Sequence, residues 1–130
     1  MADVDDALIS KVSPWSVAET VARLRAVIAA RGLDLVAVLD VGAGAGDAGF
    51  AVREAALVLV GGAAMTTPVI DAAPLRTLGL PLTVLVWADA LETKVAHVSA
   101  AALRLRYDLG VELSAGLTCI ADIVDVVIDR

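Results

Sequence analysis

His97 is the one histidine of the chain, and Asp40 ends one of its most apolar stretches. An imidazole beside a carboxylate is a minimal pair for moving a proton near neutral pH, so His97 with Asp40 or Asp89 is the first acid–base candidate. The competing reading makes His97 a strand histidine with an ordinary hydrogen bond and Asp40 the cap of the turn that follows it. Metal binding finds no support, because a site needs three or more ligands and no such cluster accompanies His97. Cys119 lies in an apolar helical stretch, where an inert, buried thiol is expected.

Two glycine-rich segments follow strand-like runs. Gly44-x-Gly46-x-x-Gly49 matches the dinucleotide fingerprint, in which glycines let a pyrophosphate approach a helix N-terminus. About five residues then separate Gly49 from the next strand, too few for the helix that motif requires. The acid expected ~20 residues further on is also missing. A packed Gly/Ala-rich turn or short helix is expected instead, and no cofactor. The second segment, Gly61-Gly62-Ala63-Ala64-Met65-Thr66-Thr67-Pro68, has no lysine to meet a terminal phosphate and fails as a P-loop. Its amides at Gly61 and Gly62 and the hydroxyls of Thr66 and Thr67 could still form a nest for an anion or a small polar ligand. Trp87 is a candidate wall for such a pocket, with an oligomer contact or core packing as alternatives. A plain strand-exit turn is the competing reading, with Thr66 or Thr67 capping a short helix and Pro68 near its start.

The elements that must position these residues follow from pattern. Leu8 to Ser13 alternates as a strand and runs into a tight loop at Pro14-Trp15. Ser16-Val17-Ala18-Glu19 is a capping box, in which Ser16 accepts an orphan amide and Glu19 reaches back to the amide of Ser16. Val17, Val21, Leu24 and Ile28 follow at helical spacing, and Gly32 provides a left-handed stop. Leu33 to Asp40, Ala55 to Val60 and Leu82 to Trp87 read as strands. The two apolar runs from Ala55 and Leu82 are short, bounded by Gly and Pro, and rich in Val and Leu, as buried strands are. An acidic turn, Asp89 to Glu92, joins the last of them to a strand at Lys94 to Ser99. Ala100 to Leu109 reads as helical. From about Ser114 a terminal helix sets Thr118, Asp122, Asp125 and Asp129 opposite Leu117, Ile120, Val124 and Val127. Hairpin-length connections predict one α+β domain over residues 1–130, with a largely antiparallel sheet of about four to five strands and helices packed on one face.

Composition narrows the function classes. The 130 residues are 59% hydrophobic with a net charge of −6, and the mean hydropathy is +0.85. An acidic chain poor in Lys, with four aromatic residues, lacks both the phosphate-neutralising charge and the stacking platforms of nucleic-acid binders. No run reaches the ~20 apolar residues of a membrane helix. The acidic start, MADVDDALIS, has no signal-peptide pattern, and a cytoplasmic location is expected. So many apolar residues exceed what a small domain can bury alone, which predicts a homo-oligomer, a dimer first. A small-molecule ligand is a further candidate partner.

Several blocks resemble a known family, the domain of unknown function family 302. They are Ser16-Val-Ala-Glu-Thr-Val-x-x-Leu before Arg31-Gly32, Val38-Leu39-Asp40, Val58-Leu-Val-Gly61, Thr67-Pro68-Val-Ile and Leu80-Pro81-Leu-x-Val-Leu-Val-Trp87. The resemblance spans about Leu8 to Val127 and implies a small α+β domain whose curved antiparallel sheet is similar to the TATA-box-binding-protein fold. It implies no activity, and fold alone carries none. The chain departs from the family pattern where members often have His (here Val41), Gly-Asn-Pro-Lys (Gly61-Gly62-Ala63-Ala64) and Tyr-Asn (Ser99-Ala100). Asp40, Thr67 and Pro68 keep the pattern. The leading expectation is therefore a non-catalytic module that packs against itself or binds a small ligand. The alternative is a small-molecule enzyme or sensor built on His97, Asp40 and the Gly61–Thr67 turn.

Overall fold

The computed structural model describes residues 8–41, 54–62, 67, 69–71, 82–99, 102 and 111–129, with side chains in the last helix described from Cys119 onward. Its elements are β1 (Leu8–Ser13), α1 (Val17–Ala30), β2 (Asp34–Asp40), β3 (Ala55–Gly61), β4 (Leu82–Asp89), β5 (Glu92–Val98) and α2 (Val111–Ile128). The five strands form one sheet in the order β1-β5-β4-β3-β2, and every neighbouring pair is antiparallel. This is the α+β architecture the connection lengths predict.

Local chemistry explains α1. Ser16 holds an extended backbone, and its Oγ accepts the amide of Glu19 at 3.1 Å. The Glu19 carboxylate accepts from Arg23 Nε at 3.1 Å, an i,i+4 pair on the helix surface. At the other end the amide of Gly32 donates to Ala29 O and that of Leu33 to Ile28 O. These two bonds are a Schellman closure, and they need the left-handed φ of +72° that Gly32 adopts. Nothing crowds the missing Cβ of Gly32, so its backbone angle, not space, calls for glycine.

The helix buries Val17, Thr20, Leu24 and Ile28 against the sheet. Val58, Val60, Leu82, Val84, Val86 and Val95 form the floor of that core, and Ile120, Ile123, Val124 and Val127 of α2 complete it. Val69, from the β3–β4 connection, is buried in the same cluster. Asp122, Asp125 and Asp129 are exposed, as the amphipathic pattern of the last helix requires. Two of them anchor it: Lys11 pairs with Asp125, and Arg31 Nη1 meets Asp122 Oδ2 at 2.5 Å.

Three local features differ from the sequence reading. The acidic turn tightens to Ala90-Leu91, because Asp89 and Glu92 already pair across the hairpin, and Ala90 takes φ +56°. The last helix starts at Val111 rather than near Ser114. In β2 the register shifts between Leu35 and Ala37, which makes Val36 the extra residue of a bulge on an edge strand. Bulges there twist an edge away from further pairing. The Gly42–Gly49 segment lies outside the described residues, as does the Ala100–Leu109 helix apart from Ala102.

Candidate functional site

His97 lies on β5 opposite Ile9 of β1. Side-chain alternation puts it on the same face as Val95, toward the helices. It is 3% exposed. Its Nδ1 lies 2.9 Å from Val98 O. A carbonyl only accepts, so Nδ1 carries the proton, and in the neutral ring Nε2 is left as an acceptor. That Nε2 is buried and has no partner among the described residues.

The acid–base pair does not assemble. Asp40 sits at the end of β2 opposite Ala56, and β4 and β3 lie between β2 and β5. Three strand spacings are about 14 Å, and Asp40 is also displaced by two residues along the strands, so one proton transfer cannot join it to His97. Asp89 is on the opposite face from His97. Its Oδ2 meets Lys94 Nζ at 2.7 Å, and this hydrogen bond, with the carboxylate's charge, raises the Lys94 ammonium above its usual value. Among the described residues, no three of His, Cys, Asp and Glu are grouped as metal ligands would be.

The ligand-binding candidates are dispersed as well. Gly61 is buried at the end of β3, and Gly62 follows with φ +118°. Thr67 is exposed in a helical turn, and Thr66 lies outside the described residues. Trp87 pairs with Ala55 at the far end of β3, six residues or about 20 Å from Gly61. Cys119 is half-buried, and burial pushes its thiol above the ordinary value while Arg31 pulls weakly the other way.

Two surfaces that no motif marks are better formed. The first is a cavity of about 400 Å³ between the start of α1 and the ends of β2 and β3. Val17, Val21, Val38 and Ala56 give it apolar walls, and Asp40 and Glu54 contribute carboxylates. The second is the sheet face away from the helices. Register places Leu39, Leu57, Leu85, Ala96 and Ser10 in one row across all five strands. A flanking row holds Ala37, Leu59 and Thr83, with Val98 and Leu8 paired beyond them. On the other side, Ala55, Trp87, Lys94 and Val12 line up. Leu8 is 44% exposed, Leu39 47% and Val12 53%. The sequence signal for this face is the unbroken run Ala55 to Val60, since a strand with only one buried face alternates instead.

No helix among the described residues is long and apolar enough to cross a membrane. No curated protein matches the chain. The fold is similar to that in the crystal structure of an uncharacterized conserved protein DUF302 from Bacillus stearothermophilus. The TM-score is 0.78 at 16% identity, over 95% of this chain and 97% of that one. The sequence pattern of the family described as Domain of unknown function DUF302 matches residues 9–125, and the chain belongs to that family.

Proposed function

We propose that this protein is a non-catalytic module that works by self-association. One observation carries the reading: both faces of the sheet are apolar, and among the described residues the helices cover one of them. A contiguous apolar face left in water is characteristic of an interaction surface. The separation of His97 from Asp40 and Asp89 leaves the alternative, an acid–base enzyme, without an assembled pair. Native mass spectrometry of the freshly purified protein tests the proposal. A multiple of the chain mass supports it, and a monomer at every concentration refutes it.

A second reading has its own observation. The cavity beside Asp40 and Glu54 has the size of a small-molecule site, and its apolar walls with anionic groups suit a small organic cation. The same spectra test this reading. An excess mass that disappears on denaturation supports a retained ligand; an unmodified chain mass, with no binding of a hydrophobic amine such as hexylamine in titration, argues against it.

A further inference from the structure

We infer that the occupant of the sheet face that no described helix covers is a second copy of this chain, stacked sheet to sheet about a two-fold axis that runs along the strands. This rests on the self-association proposed above and specifies its geometry.

Charge selects the partner's chemistry. The net charge of −6 makes two copies repel, yet the rows across this face hold one cation, Lys94, already neutralised by Asp89 at 2.7 Å. Glu92 and Asp34 stand at opposite ends of the face, and the rows between them meet with no unpaired charge, so charge at this face is confined to its rim. Area is sufficient too. Five strands about 4.8 Å apart and about six residues long cover a footprint of roughly 480 Å² per copy, before side-chain relief. Two footprints reach the ~1,000 Å² that a specific interface requires.

Shape sets the axis. A two-fold axis between face-to-face sheets lies in the interface plane, and each residue pair then occurs twice. An axis along the central strand β4 brings the β2 edge of one copy over the β1–β5 side of the other. At that side the face holds a depression of about 210 Å³, lined by Leu8, Thr83, Leu85, Ala96, His97 and Val98. On β2 stands Leu39, 47% exposed, in the same row as Leu85 and Ala96. Leu39 of each copy then fills the depression of the other. The assembly is a four-layer sandwich of helices, sheet, sheet and helices, with the two sheets about 10 Å apart.

Sedimentation equilibrium of the wild type and of Leu39→Lys and Leu8→Lys tests this. Both side chains are already about half exposed, so the substituted monomers should fold, and circular dichroism with a urea midpoint checks that they do. The expected result is a wild-type dimer whose dissociation constant rises at least 100-fold in each variant. A wild-type oligomer left intact by both substitutions overturns this interface while sparing self-association. A monomeric wild type overturns both. If either variant fails to fold, cross-linking decides. Sheets about 10 Å apart are too far for a direct disulfide. Leu39→Cys/Ala96→Cys, in a Cys119→Ala background, is therefore treated with a bis-maleimide that spans about 10 Å, and the stacked arrangement yields covalent dimers. Its remaining monomeric after this treatment counts against that arrangement.

Discussion

The indole Nε1 of Trp15 donates to Val127 O at 3.0 Å, joining the loop after the first strand to the last turn of the last helix. The Arg23 guanidinium lies over the same ring, 3.7 Å from its centroid. One side chain thus couples the N-terminal loop, α1 and α2. It also satisfies one of the carbonyls that every helix C-terminus leaves without an intrahelical partner.

Trp15→Phe keeps an aromatic face for Arg23 and removes only the donor. The expected loss is about 1 kcal/mol, the net worth of one hydrogen bond, read as a shift of the urea midpoint at constant slope. Trp15→Leu also removes the stacked cation and should lose about 0.5–1 kcal/mol more. Equal losses in the two variants would show that the ring face contributes nothing.

Elements written in local chemistry were legible in the sequence. Ser16 and Gly32 bracket α1 because a cap and a left-handed stop depend on residues three or four positions away. The alternation of Asp122 and Asp125 with Ile120 and Val124 likewise fixed which side of α2 meets the core. What was not legible depends on strand order. A β1-β5-β4-β3-β2 sheet sets β1 beside β5, and nothing near Asp40 records that two strands separate it from His97. The face that no described helix covers was half legible: the continuous apolar run at Ala55 to Val60 shows that both faces are apolar, but not which side the helices take.

Gly62 tests the turn after β3. Its φ of +118° is strained for any L side chain, and a Cβ there would lie 2.8 Å from Asp34 Oδ2. The contact is with the far end of a short side chain at an exposed position, which can rotate away. The backbone angle cannot be relieved without moving the strand end. Gly62→Ala is therefore expected to lose about 1–3 kcal/mol in chemical denaturation. Adding Asp34→Ala should restore less than half of that loss. Full restoration would mean that the contact, not the angle, sets the glycine.

Cys119 gives the fold an alkaline sensitivity. Burial raises its thiol above the ordinary thiol range, so the folded chain holds this proton more tightly than the unfolded chain. The associated stability is fully present below about pH 9 and is lost as pH rises through the higher folded value. Urea midpoints of wild type and Cys119→Ala between pH 7 and 10.5 read this out, with the wild type losing its advantage above pH 9. Native alkylation by iodoacetamide should also be slower than alkylation in urea, because the thiolate is the nucleophile. A pH-independent difference between the two proteins would refute the linkage.

His97 separates a structural role from a chemical one. Its Nδ1 proton goes to the neighbouring Val98 carbonyl, and Nε2 is buried with no partner among the described residues. A buried acceptor without a partner costs about 1–3 kcal/mol, against roughly 1 kcal/mol for the bond the ring makes. Leucine has nearly the same volume and suits an environment of Ile9 and Val95. His97→Leu is therefore expected to leave stability within about 1 kcal/mol of wild type, or to raise it, while His97→Ala leaves a cavity and loses about 2 kcal/mol or more. If His97→Leu is as stable as wild type and still forms the same oligomer, the imidazole serves neither the core nor the interface. If His97→Leu instead loses more than about 2 kcal/mol, Nε2 is satisfied by a buried water in solution, and His97 is a core residue with no chemistry to perform.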